Sequence, residues 1–131
     1  MYQVNVKLIV SGKDFQPNSD LMTSTHLHRA WKEGDLVIPQ ATKKFEDAGV
    51  VYRLLHEYSD MDWAEVMLEN LKEIAALITG VSVTMTLPTP QLSVFIETDG
   101  RDYPPIFLSR EILDVLDSIY SEVDIDVVHS L

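Results

Sequence analysis

The stretch Met61–Ile78, MDWAEVMLENLKEIAALI, constrains the fold of this chain more than any other. Apolar residues recur at Trp63, Met67, Leu71, Ile74 and Ile78, and Leu68, Ala75 and Leu77 widen the stripe. At 3.6 residues per turn these positions share one broad face, so the spacing predicts a helix with one side buried. Ser59 or Asp60 can cap it, Asp62 and Glu65 suit the positive end of its dipole, and Gly80 stands where a glycine would close it. Its outer face carries Glu65, Glu69, Lys72 and Glu73. A stripe this wide has to lie on a second layer.

Segments of period two supply that layer. Tyr2, Val4, Val6, Leu8 and Val10 alternate with Gln3, Asn5 and Lys7, which is the pattern of a half-buried strand. Val50–Tyr58, Val81–Leu87, Leu92–Thr98 and Val123–Val127 read the same way. Pro88-Thr89-Pro90 is a tight connection, which predicts a hairpin between the third and fourth of these five segments. Pro17 can open a short helix with Asn18, Ser19 and Asp20 in its first turn, ending near Ser24. Ser109 can cap a further helix, Arg110–Tyr120. His26–Asp35 is ambiguous between strand and loop, Leu36–Ile38 reads as a short strand, and Ala41–Gly49 as a loop. Asp99–Asp102 is a turn and Tyr103-Pro104-Pro105 a stiff extended link.

The order is thus β, short α, β, β, long α, β, β, α, β. Adjacent strands separated by helices predict an α+β fold, with a mixed, largely antiparallel sheet and helices packed on one face. The first six elements follow a ferredoxin-like βαββαβ order, leaving a C-terminal βαβ extension. At 131 residues this is the size of a single domain.

Charge narrows the function. The formal net charge is −11, so nucleic-acid binding, which needs Lys and Arg on phosphates, is disfavoured, and an anionic membrane surface would repel the chain. Acidity favours a basic partner. With no cysteine, thiol nucleophiles, thiolate metal sites and disulfides are excluded, which fits a reducing cytoplasm. Tyr2-Gln3-Val4 begins a strand rather than a basic segment followed by an apolar run, and the apolar runs are shorter than a membrane span, so a cytoplasmic protein is expected.

Candidate chemistry is sparse. His26 and His28, one residue apart, would share a face of a strand and could begin a metal site with Glu33 or Asp35. Asp124, Asp126 and His129 on the last strand could serve as acid–base groups, or as charges that protect a sheet edge. Trp31, between Arg29 and Lys32, could anchor a partner or close the rim of a core. Nucleophile elbows, phosphate-binding glycine loops and HExxH patterns are absent. No catalytic residue, cofactor or metal is therefore assigned.

Two stretches carry a resemblance. Phe15-x-Pro17, followed by Arg29-x-Trp31-x-x-Gly34-Asp35, is similar to the N-terminal signature of the bacterial family called domain of unknown function 4279. Pro105-Ile106-x-Leu108-Ser109, the helix after it, and Asp124-Ile125-Asp126 resemble that family's C-terminal half. Ser24-Thr25-His26 departs from the Leu-Gly step of the pattern. The resemblance implies a small bacterial cytoplasmic α+β protein, with members serving as immunity proteins beside secreted toxins, and it carries over no catalytic residue.

The expectation is then a non-enzymatic protein-binding domain, most concretely an immunity protein that neutralises a cognate basic toxin. Its contact surface would include Asp62, Glu65, Glu69 and Glu73, with Trp31 as an aromatic anchor. A small-ligand-binding or regulatory domain is the alternative, and a homo-oligomer joined through an edge strand remains open.

Overall fold

The computed structural model describes residues 2–39, 42–56, 62–99 and 107–129. The helix caps expected at Ser59 and Asp60, the turn through Gly100–Asp102 and the Tyr103-Pro104-Pro105 link lie outside them. The elements are β1 (Tyr2–Gly12), α1 (Ser19–Met22), β2 (Leu27–Trp31), β3 (Ala48–Leu55), α2 (Trp63–Ser82), β4 (Gln91–Thr98), α3 (Arg110–Ser118) and β5 (Glu122–His129). The fold is α+β: one five-stranded mixed sheet with three helices, in the order β2-β3-β1-β4-β5. β1 pairs antiparallel with β3 and β4, β2 pairs antiparallel with β3, and β5 adds parallel to β4. A parallel neighbour needs a crossover, and α3 lies within this one.

Alternation along the strands divides the sheet into two faces. Val4, Val6, Leu8 and Val10 of β1 are wholly buried. They continue the layer through Val50, Tyr52 and Leu54 of β3 and Leu92, Val94 and Ile96 of β4. α2 lies on this layer with Trp63, Met67, Leu71, Ile74, Ile78 and Val81, while α3 adds Ile112 and Leu116. Each large side chain fully buried in this way contributes about 1.5–3 kcal/mol. Asn18 caps α1 by accepting from the Leu21 N–H at 3.0 Å, and Ser109 caps α3 by accepting from the Ile112 N–H at 3.2 Å. Tyr52 stays in the core because its hydroxyl donates to the Leu21 carbonyl at 2.8 Å.

Several expectations are corrected. Gly80 does not end the long helix, which runs on to Ser82. The reason is packing: Val81 continues the buried stripe, and Gly80 faces open space. Val81–Leu87 is therefore no strand. Its first two residues are helical and the rest form turn and loop, with Thr84 Oγ1 donating to the Val81 carbonyl. The expected hairpin does not exist, because Leu92–Thr98 lies within β4, between β1 and β5. The expected C-terminal βαβ unit is present as β4-α3-β5, with β4 and β5 parallel; what is missing is the separate strand expected before it. Leu36–Ile38 forms only a single bridge, Leu36 to Lys44. β3 starts at Ala48, inside the segment expected to be loop, and α3 stops at Ser118.

The face of the sheet away from the helices is the open one, and the strand register arranges its charges in rows. One row runs Arg29, Val51, Ile9, Gln91, Glu122 from β2 to β5. The next runs Arg53, Lys7, Ser93, Asp124, and a third includes Asn5, Phe95 and Asp126. The chain itself is polarised in the same sense. Residues 1–56 carry seven Lys and Arg against six Asp and Glu, and residues 57–131 carry three against fifteen.

Candidate functional site

α2 presents Glu65, Glu69, Lys72 and Glu73 to solvent because its other side is taken by the sheet. Asp62 stands at its N-cap position, where its carbonyl accepts from Glu65 N at 3.1 Å and Val66 N at 3.3 Å. Glu73 is partly engaged: its Oε2 lies 2.6 Å from His26 Nε2 across the seam between α2 and the start of β2. Lys72 reaches Glu111 of α3 at 3.7 Å. α3 adds a second acidic row, Glu111, Asp114 and Asp117, all exposed. The ridge expected on one helix is thus a surface of two helices. The three-residue spacing of the α3 acids is visible in the sequence; its adjacency to α2 is not.

Trp31 does not join this surface. It projects from β2 on the open side of the sheet, against Gly49 and Ser11. Its ring stacks on Phe45 with centroids 5.0 Å apart and planes at 24°. Its Nε1–H donates to Asp47 Oδ1 at 2.9 Å. The Arg29 guanidinium sits 5.9 Å from the indole and 5.3 Å from the Phe45 ring, while its Nη2 donates to the Val37 carbonyl. The indole is a packing unit that secures the β2–β3 connection.

The two histidines separate. β2 begins only at Leu27, and its register shifts between Leu27 and Arg29. His26 turns toward α2, whereas His28 accepts from Arg53 Nη2 at 3.1 Å. The His28 pKa is lowered by desolvation, then by the charges of Arg53, Lys7, His56 and Arg29. Among the described residues no group of three His, Cys, Asp or Glu side chains could hold a metal ion. The trio on β5 separates as well. Asp124 and Asp126 register with Ser93 and Phe95 on the open face, while His129 registers with Thr98, on the other side.

Hollows occur at the periphery. One of about 400 Å³ lies beside Pro17, Met22, Trp31 and Asp35, and one of about 500 Å³ beside Phe15, Pro17 and Lys32. Between sheet and helices, where a ligand-binding domain would place its pocket, Leu8, Tyr52, Met67, Leu71 and Leu92 are packed to zero exposure. Among the described residues no helix is long and apolar enough to cross a membrane. In comparisons with known protein families, curated proteins and solved structures, the chain matches none of them.

Proposed function

We propose that this chain is a non-enzymatic protein-binding domain whose helical face docks a basic protein, and concretely that it is a bacterial immunity protein acting in the cytoplasm on a basic toxin. The observation that supports the reading is the pair of acidic rows on α2 and α3: Glu65, Glu69 and Glu73 beside Glu111, Asp114 and Asp117, with only Lys72 and Arg110 as cations on these two helices. Side chains so arranged steer a cationic partner and occupy sites made for phosphate. All six side chains are exposed, so their carboxylates stay in water until the partner arrives and the desolvation cost falls at docking.

The test is binding to the product of the adjacent upstream gene, followed by relief of its toxicity on co-expression. Reversal of Glu65, Glu69 and Asp114 to Lys leaves the His26–Glu73 pair in place. It is expected to slow association about tenfold or more at low salt while the fold persists. Failure to form a stoichiometric complex, or an unchanged on-rate in the triple variant, overturns the reading.

A further inference from the structure

The open face of the sheet is not explained by a partner on the helices. Its cations gather at one end. Arg53 and Lys7 stand side by side on β3 and β1, with His28 against Arg53 and Arg29 in the adjoining row. No Asp or Glu faces them among the described residues of β1, β2 and β3. Arg53 Nε is shielded from solvent and has no hydrogen-bond partner among the described residues. The carboxylates of the same face, Glu122, Asp124 and Asp126, stand at the other end, on the exposed edge strand β5. Between them the surface is neutral and partly apolar: Ile9 is half-buried and Phe95 39% exposed, while Val51 is buried.

We propose that two copies of this chain pair through this face, sheet on sheet, about a two-fold axis running along the strands between β1 and β4. That axis lays β1 of each copy over β4 of its partner and β3 over β5. The register then puts Arg53 against the partner's Asp124 and Lys7 against the partner's Ser93, and Phe95 against the partner's Asn5. The charged contact forms twice, as an isologous dimer requires. An axis across the strands would instead oppose like charges. Aligned sheets pack about 10 Å apart, which suits side chains of this length. Four strands at about 4.8 Å spacing and eight residues at about 3.3 Å give about 500 Å² of sheet plan per copy. The total, about 1,000 Å² before side-chain relief is counted, reaches the size of a specific interface. A long-range net repulsion between two acidic chains makes the dimer a contact of moderate strength, formed because the local charges are complementary.

The experiment is analytical ultracentrifugation of the full chain, with Arg53→Glu and Asp124→Arg variants run alone and as an equimolar mixture. The parent is expected to approach twice the 14.9 kDa chain mass. Each variant alone opposes like charges twice and is expected to dissociate at least about tenfold more readily. Mixed, the two variants restore both charge pairs, and a heterodimer of parental affinity is expected. Circular dichroism verifies that each variant is folded, and the mixture reports on pairing even where one variant is less stable. A parent that stays monomeric at high concentration overturns the proposal. So does a dimer indifferent to both substitutions, or a mixture no tighter than its components.

Discussion

The indole of Trp31 fills the space that a side chain on Gly49 would need: a Cβ built there would lie 2.7 Å from Trp31 Cη2 and 2.7 Å from Ser11 Cβ. The two residues are register partners on β2 and β3, so the ring cannot slide away without leaving Phe45 and Asp47. Gly49→Ala should therefore destabilise the fold by about 1–3 kcal/mol, the usual range for forced overpacking. Removing the ring should relieve the clash, so Trp31→Ala combined with Gly49→Ala should cost less than the sum of the single changes. Urea unfolding of the four chains measures this coupling.

Two glycine exchanges test the helix ends from opposite directions. Gly80 lies inside α2 with nothing within 4 Å of where a Cβ would stand, so Gly80→Ala should stabilise by about 0.5–1 kcal/mol. Tyr120 sits just past α3 at φ 55, where Tyr120 N donates to Asp117 O and Ser121 N to Leu116 O. That is the position a glycine usually fills, and the ring is 82% exposed. Tyr120→Gly should gain about 1 kcal/mol. Thermal unfolding midpoints should rise for both.

Tyr52 gives a prediction in alkali. Burial pushes its pKa from 10.0 up to about 12. The unfolded chain thus ionises first, and the stability held below pH 10 is lost as pH rises through about 12. Tyr52→Phe should remove this tyrosine's share of the loss. At neutral pH the same change should cost about 1–2 kcal/mol, because the Leu21 carbonyl loses its donor. Denaturation midpoints followed across that pH range separate the two effects.

His28 gives the corresponding prediction in acid. Its pKa lies below the ordinary 6.5, chiefly through desolvation and the Arg53 charge. Below 6.5 the unfolded chain takes up a proton that the folded chain refuses, so stability falls as pH drops. His28→Gln should flatten that slope relative to the parent, and a slope identical in both chains would assign the acid sensitivity elsewhere.

The parts of the fold that are legible in the sequence are those written as a regular local period or as a cap within three residues of its donor. The α2 stripe, the β1 alternation and the Ser109 cap belong to this group, whereas Asn18, expected inside the first turn, turns out to be the cap of α1. Val81–Leu87 misleads because VSVTMTL has a strand's alternation and its β-branched residues. The stripe Ile74, Ile78, Val81 nevertheless extends the helix past Gly80, and Thr84 and Ser82 bond back to helix carbonyls. Tertiary burial prevails over local propensity. For the candidate site, the acidic residues of α2 are readable, but their union with α3 depends on helix packing. The separation of His26 from His28 depends on a register shift that no residue signals. The charge rows of the open face require the strand order, which is a long-range property.

The central position of β1 has a consequence for synthesis. The first strand to leave the ribosome is the one that needs neighbours on both sides, and the second of these, β4, is complete only at Thr98. At about 5–20 residues per second the strand waits on the order of ten seconds with one edge unpaired. During that interval the nascent chain presents the backbone N–H and C=O groups of that edge to whatever chaperone is at hand.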